Sequence, residues 1–477
     1  MAIPLSTLKK LLGPSVRTDR ESCFAASYDS AKLSFLPEAV IFPKDEEAIG
    51  NVLALANQHR VPITTRGGGT AATGAASPVK GGWVIDLHDW QAIEINSVAG
   101  YATVQPGVKV AEVQEAAERN GWFYPPDPSS FRYATIGGTI ATNAGGLRAA
   151  KYGVTRDHIY ALEGFLPTGE RVNWGLPVKK FASGYNIRDL WIGSEGTLGI
   201  VTKAVLKLIP RPPVRKTFLV HFSSNRSALE AAKALLGMRL VPAILEFLDT
   251  QSLECVHRRF GFGNLPIEVG GALLLVEVDG IQEVVAGEAD NIRRWAASHA
   301  LDFQEAKDRE EAEALWEIRR RCSPAMFECG DTKLNEDIVV PLESYTALID
   351  FVHELHKTTG LATPTFGHAA DGNFHVHLMF HRDNDDERKR AQEGLQALME
   401  KVVSLGGAIS GEHGIGLAKS AFFELQHRPA EIATMRAIKR TFDPNNILNP
   451  GKIFEPFPVW ECTPADVHFP WDHKKDG

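Results

Sequence analysis

One loop restricts the fold of this chain more than any other feature. The strand-like run Val61-Pro62-Ile63-Thr64-Thr65 passes straight into Arg66-Gly67-Gly68-Gly69-Thr70. Gly67 to Ala72 matches G-x-G-x-x-A, a pattern that works by setting a helix N-terminus against a pyrophosphate. That reading requires a helix next. Instead Thr73-Gly74-Ala75-Ala76-Ser77-Pro78 and Gly81-Gly82 lead to a second strand-like run, Trp83–Leu87. The loop is therefore read as a nest of backbone N–H groups that binds an anion without a helix dipole. A plain glycine turn is the competing reading of this loop alone. Glycine-dense turns recur at Ile136-Gly137-Gly138, Asn143-Ala144-Gly145-Gly146 and Gly193-Ser194-Glu195-Gly196. Such density means backbone at positive φ, or backbone brought close to something large.

The texture changes at Pro210-Arg211-Pro212-Pro213, which reads as a linker because proline stops both helix and sheet. Before it, Pro43–Glu47 opens a helix with apolar positions Ile49, Val52, Leu53 and Leu55. After it, strand-like runs (Thr217–Phe222, Ala243–Leu248, Ala272–Val278, Ile338–Pro341) alternate with helical ones (Ser227–Leu236, Val284–His299, Tyr345–His356, Asp386–Val403). The expectation is an α+β sheet with helices on one face. At 477 residues the chain exceeds one core. The expected divisions are 1–34 an N-terminal arm, 35–212 a first domain, 213–420 a second, 421–456 a segment returning to the first, and 457–477 a tail.

Chemistry gathers near the C-terminus. Ala370-Asp371-Gly372-Asn373 is a hairpin signal, since Asp-Gly supplies the positive φ of a tight turn. Beyond it His375 and His377 share a face, and His368 lies across the hairpin from them. Imidazoles with a carboxylate such as Glu412 suit a divalent metal with open positions, zinc first and manganese or iron as alternatives. Each histidine by itself reads more simply as a hydrogen-bonded residue. His413 follows Glu412 directly, and neighbours on extended backbone point apart, so the two are not read as ligands of one metal.

Composition excludes several classes. A net charge of −8 with no long basic block argues against nucleic-acid binding. The five cysteines (Cys23, Cys255, Cys322, Cys329, Cys462) form no C-x-x-C, so the chain carries no iron–sulfur or zinc-ribbon signature. Their odd number and low density favour a reducing, cytoplasmic setting. Met1–Lys10 lacks the pattern of a signal peptide, and no apolar run is long enough to span a bilayer.

The ordered motifs Arg66–Thr70, Pro125–Ser130, Thr135–Gly138, Asn143–Gly146 and Ile192–Thr202 resemble the FAD-binding domain of the vanillyl-alcohol-oxidase (PCMH-type) superfamily. The later half resembles the glycolate oxidase FAD subunit, D-lactate dehydrogenase and D-2-hydroxyglutarate dehydrogenase group. The resemblance implies an FAD domain of two α/β subdomains followed by an α+β substrate (cap) domain with an antiparallel sheet. It implies dissociable FAD, because Thr70 and Ala71 stand where some members carry a flavin-linked histidine. Arg66, Gly67, Gly68, Gly69 and Thr70 would hold the pyrophosphate. Pro126, Asp127, Ser130, Thr135 and Gly138 would line the ribityl and ring side. Asn143, Gly146, Glu195, Gly199 and Ile200 would shape the ring and adenine contacts, and Asn449 would reach the flavin from the C-terminal segment.

For chemistry, the resemblance implies His368, His375 and Glu412 as metal ligands and His413 as the base. Arg319 would grip the substrate carboxylate, with Ser323 as helper, Lys333 as a candidate for a distal carboxylate and His377 beside the ligands. The implied reaction is oxidation of a small 2-hydroxy acid (glycolate, D-lactate or another D-2-hydroxy acid) by hydride transfer to flavin N5. Electrons would then pass to a partner iron–sulfur subunit, a quinone or an electron-transfer protein, with peripheral membrane attachment through that partner. A homo-oligomer is compatible with the sequence. Two alternatives remain open: a flavin transferase of the alkyl-dihydroxyacetone-phosphate synthase type, and a non-catalytic FAD subunit of a multi-subunit oxidase.

Overall fold

The computed structural model describes residues 5–469 except 263's near neighbours 264, 266 and 268, and 463 and 468. The first four residues and the end of the expected 457–477 tail lie outside the described residues. The chain divides into two compact units. The first comprises the segments ending at Gly146, Gly153–Arg211 and Glu412–Phe469; the second comprises Leu147–Tyr152 and Pro212–Gly411.

Unit 1 holds two main sheets. β1 (Val16–Arg17), β2 (Ala39–Ile41), β3 (Ile63–Arg66) and β4 (Trp83–Asp86) run in the order β1-β2-β4-β3, with β2, β4 and β3 parallel. The expected arm is thus part of this sheet through β1. The helix Glu46–His59 forms as its sequence suggests. Asp45 caps it by accepting from the Ala48 N–H, and Glu46 and Glu47 favour the positive end of its dipole. Its Ile49, Val52, Leu53 and Ala56 are buried in one core with Trp83 and Ile85. No helix follows β3; the chain from Gly67 to Gly82 is turn and bend.

The second sheet is antiparallel. Its strands are β5 (Ile93–Asn96), β6 (Tyr101–Val104), β8 (Ile159–Phe165), β9 (Arg171–Gly175) and β10 (Ile200–Lys207), in the order β5-β6-β10-β8-β9. A two-stranded antiparallel pair joins β7 (Trp122–Phe123) of this unit's first segment to β11 (Ile209–Pro210) at the end of its second. Residues 447–449 return beside β3: Ile63 donates to the Ile447 carbonyl at 2.7 Å, and Asn449 donates to the Ile63 carbonyl at 2.7 Å.

Unit 2 is built on one seven-stranded antiparallel sheet: β12 (Val214–Phe222), β13 (Ile244–Leu248), β14 (Ala272–Gly280), β15 (Asp302–Glu305), β16 (Thr332–Val339), β17 (Thr365–His368) and β18 (Asn373–Phe380). Their order is β15-β12-β14-β13-β17-β18-β16. Helices cover both faces, not one. Phe222 meets Trp295 of the helix Gln282–His299, and Phe374 meets Tyr345 of the helix Tyr345–Thr359, on one side. Trp316 and Arg319 of the helix Arg309–Ala325 bond to Glu277 and Glu246 on the other. The single-face expectation failed because both faces of β13, β14 and β18 are buried, which breaks the simple alternation of a half-exposed sheet. Leu147–Tyr152 joins this unit through Asp279, which accepts from Lys151 Nζ at 2.6 Å and from the Tyr152 hydroxyl at 2.6 Å.

Candidate functional site

The strand register of unit 2 gathers its chemistry on one face. His368 stands opposite Glu246 and opposite Asn373. His375 stands opposite Asp337, His377 opposite Asn335, and Met379 opposite Lys333. With alternation of period two, Glu246, His368, His375, His377, Asp337 and Lys333 all project to one side. The hairpin forms as its sequence suggests, with Gly372 at φ +83°. It sets the His368 and His375 rings edge to face, centroids 5.4 Å apart.

The centre of this face is a residue that sequence reasoning missed. Glu246 is fully buried, with one carboxylate oxygen bonded to His368 Nδ1 and the other accepting from Arg319 Nε at 2.6 Å. Burial opposes its ionisation, but His368 and Arg319 outweigh burial and hold it down at about 2. The bond to Nδ1 orients His368 and leaves Nε2 as its second ring position, the arrangement in which a carboxylate supports a metal-ligating imidazole. Arg319 Cζ also lies over the Phe366 ring, 4.1 Å from its centroid. The only signal for Glu246 in the sequence was one acid inside the apolar run Ile244–Leu248, the burial cost of which demands a partner.

Other expected residues fall beside it. Lys333 Nζ donates to Ser323 Oγ at 2.8 Å, which brings the two together from β16 and the Arg309–Ala325 helix. His377 is buried, and its Nδ1 bonds to the Pro364 carbonyl at 3.0 Å. A carbonyl only accepts, so Nδ1 carries the proton and Nε2 the lone pair. Burial, reinforced by the charges of Lys333 and Arg319, pushes His377 down to about 3, so it is neutral near pH 7. Asp337 accepts from Asn373 Nδ2 at 2.6 Å, Ser410 Oγ at 3.1 Å and the Gly411 N–H at 2.9 Å. It thereby fixes the backbone that leads into Glu412.

Unit 1 begins its last segment with Glu412 and His413. These neighbours do not diverge as extended residues would. The segment bends, and His413 Nε2 lies 3.8 Å from Glu412 Oε1. The turn continues through Gly414 at φ +80° and Gly416 at φ +52°. Glu195 holds it, accepting from the Ile415 N–H at 2.7 Å and the Gly416 N–H at 2.8 Å. Burial raises the Glu195 carboxyl, and these two bonds work against that. Asn449 adds to the same knot, donating its amide to the carbonyls of Ala75 and Glu195, both at 2.8 Å.

The glycine motifs surround a cradle that side chains would fill. A Cβ at Gly67 would come 2.3 Å from Thr135 Oγ1, and one at Gly68 would come 2.4 Å from the Tyr133 carbonyl oxygen. One at Gly146 would strike the Asp127 carbonyl at 2.4 Å, and one at Gly145 would come 3.1 Å from Glu412 Oε2. Thr135 caps the helix Ile136–Thr142 through the Gly138 N–H, and Asn143 ends it in the left-handed region at φ +51°. Arg66 Nη1 anchors the loop by donating to the Tyr28 carbonyl at 2.5 Å. Pro126 accepts from Gln114 Nε2 at 2.9 Å, and the Ser130 carbonyl accepts from the Tyr133 and Ala134 N–H groups at 2.8 Å. Gly199 lets the Trp191 ring pass where a Cβ would come within 2.3 Å, and Ile200 is packed in the core beside Phe165. Thr70 closes the loop. Backbone without a Cβ at these positions fits the close approach of a dinucleotide phosphate.

The comparisons with known proteins identify the family. Residues 37–175 match the model described as FAD binding domain, and residues 211–453 match FAD linked oxidases, C-terminal domain. The chain belongs to the FAD-linked oxidases. It is 39% identical to glycolate oxidase subunit GlcD of Bacillus subtilis (strain 168), over 90% of this chain and 91% of that protein. D-lactate dehydrogenase of Anaerostipes hadrus is 32% identical, over 93% of this chain and 94% of its own length. Glycolate oxidase subunit GlcD of Escherichia coli (strain K12) is 33% identical, over 87% and 83%. Among solved structures, p-cresol methylhydroxylase with substrate bound matches with a TM-score of 0.78 at 18% identity, covering 94% of this chain and 96% of that one. An alkyldihydroxyacetonephosphate synthase matches with a TM-score of 0.72 at 19% identity, covering 93% and 85%. At such identities these two establish the fold alone. This FAD-linked oxidase is of the glycolate oxidase and D-lactate dehydrogenase type.

Proposed function

We propose that this FAD-linked oxidase dehydrogenates a small 2-hydroxy acid, glycolate or a D-2-hydroxy acid such as D-lactate, to the 2-oxo acid. The observation that carries this reading is the Glu246-centred face, where one buried carboxylate orients both an imidazole and a guanidinium. A 2-hydroxy acid presents a carboxylate for Arg319 and a hydroxyl for a base or a metal. Arg319, held at Nε by Glu246, is pre-oriented for a carboxylate by its rigid fork. Ser323 and Lys333 stand ready for a further polar group on the substrate. His413 takes the hydroxyl proton as general base.

The residues present fit both FAD and a divalent cation. FAD would be held by Gly67, Gly68, Gly69 and Thr70, with Asp127, Thr135 and Gly146 forming the cradle wall, and its chemistry there is acceptance of the hydride from the substrate Cα. A divalent cation, zinc by the imidazole-rich donor set, would be held by His368, His375 and Glu412 and would polarise the substrate hydroxyl. The reduced cofactor must be reoxidised, and a partner subunit, a quinone or an electron-transfer protein is the proposed acceptor. Two relatives carry the word subunit in their names, which supports a partner.

Steady-state dye reduction tests the reading. Holoprotein is assayed with glycolate, D- and L-lactate, and D- and L-2-hydroxyglutarate, before and after chelator. Turnover of glycolate or one D-acid, lost with chelator and restored by Zn²⁺ or Mn²⁺, is expected. Turnover that survives full metal removal would overturn the metal assignment; absence of turnover with every acid would overturn the substrate class.

A further inference from the structure

Cys255 and Cys329 are 74 positions apart in sequence, yet their sulfurs meet at 2.9 Å. Cys255 lies buried on the helix Thr250–Phe260. Cys329 lies half-buried just after the short turn of helix Met326–Glu328, with its N–H bonded to the Met326 carbonyl at 2.8 Å. Both thiols are free. A disulfide needs its sulfurs at about 2.05 Å, so closure requires a shift of less than about 1 Å. Nothing in the oxidase chemistry above uses these two residues.

We propose that Cys255 and Cys329 are a reversible thiol–disulfide site, oxidised by a low-molecular-weight disulfide such as that of glutathione.

The two positions divide the work as exchange requires. Cys329 is the reachable sulfur, and Cys255 is the buried one beside it. The contact with the Cys255 thiol favours thiolate at Cys329, against the cost of partial burial and with help from the nearby charge of Arg258. Cys329 attacks the small disulfide, forms a mixed disulfide and releases one thiol. Cys255 then loses its proton to solvent, attacks the Cys329 sulfur and releases the second thiol. Two protein thiols are oxidised and one external disulfide is reduced to two thiols, so electrons and protons balance. The third cysteine of this unit does not share this setting: Cys322 is fully buried, and burial pushes its thiol up to about 12. The bridge would tether the Thr250–Phe260 helix to the turn between Ser323 and Lys333. That turn joins the end of the Arg309–Ala325 helix to β16, so its rigidity bears on both elements.

The test is peptide mapping of the full holoprotein after exposure to glutathione disulfide, followed by alkylation and digestion without reductant. A Cys255–Cys329 linked peptide that disappears with dithiothreitol is expected. The Cys255→Ser variant, retaining its flavin, should instead accumulate a stable glutathione adduct on Cys329, because the resolving thiol is gone. Wild-type protein in which both residues alkylate fully after oxidation would overturn the proposal. So would wild-type protein that keeps glutathione on Cys329 without bridging. The wild-type map decides the matter even if the variant does not fold.

Discussion

At the scale of single residues, the account turns on Glu246. Its two oxygens serve two cationic or imidazole groups, so removing the charge affects both. Glu246→Gln keeps the shape and loses the charge. It is expected to weaken cation binding about 10- to 100-fold, the usual effect of losing a carboxylate behind a ligating histidine. Chelator-competition titration measures this, and unchanged affinity would remove Glu246 from the supporting role. Glu246→Ala should cost more in stability, about 3 kcal/mol, because Arg319 is left in a buried setting without its counter-charge. Asp249 gives a pH-dependent counterpart. It caps the Thr250–Phe260 helix through the Ser252 N–H, and burial pushes it up from 3.8 to about 6. A raised carboxyl binds its proton more tightly when folded, so its contribution is full below pH 3.8 and is lost as pH rises through about 6. That shift corresponds to about 3 kcal/mol. Asparagine caps equally well but does not ionise. Asp249→Asn is therefore expected to flatten the fall of melting temperature between about pH 4 and pH 7, and an identical fall would contradict the assignment. Neither acid was legible as important in the sequence. A single Glu or Asp in an apolar run announces a burial cost, but its partner is set by strand register and by a helix 73 residues away.

At the scale of elements, the sequence was more transparent. The Asp371-Gly372 turn, the pairing of His368 with the His375 strand, and the shared face of His375 and His377 all follow from turn chemistry and period-two alternation. These are local rules, and local rules survive folding. The glycine loop was legible for the same reason: the residues after it could not make a helix, and they do not. What it faces was not legible. Gly67 and Gly68 oppose Thr135 and Tyr133, which come from another motif entirely. Gly68→Ala places a methyl 2.4 Å from the Tyr133 carbonyl, a backbone atom that cannot rotate away. The variant is expected to bind FAD at least tenfold more weakly, read from the ratio of flavin to protein absorbance after dialysis. Full flavin retention would show that the loop is a plain turn. The adjacent pair Glu412 and His413 shows the opposite case. Their divergence was argued from extended backbone, and the backbone bends instead, because Glu195 ties down the Ile415 and Gly416 N–H groups.

At the scale of the whole molecule, the first unit is discontinuous. Its last segment starts at Glu412, while the expected division stood at 421. Nothing in composition marks that point. The re-entry is fixed by hydrogen bonds to residues far back in the chain, such as those of Leu417 and Ala418 to the Thr73 carbonyl at 2.8 and 3.0 Å. The short excursion Leu147–Tyr152 was invisible for the same reason, since it depends on Asp279. Among the described residues no helix is long and apolar enough to cross a membrane. The central claim is that a 2-hydroxy acid delivers its electrons to FAD bound by this chain. The direct measurement is anaerobic mixing of the yellow holoprotein with glycolate, D- and L-lactate, and D- and L-2-hydroxyglutarate while the flavin absorbance is followed. The account predicts bleaching with glycolate or with one D-acid, at a rate that falls when the metal is stripped. Flavin that stays fully oxidised with every one of these acids, in protein holding both FAD and metal, would contradict it.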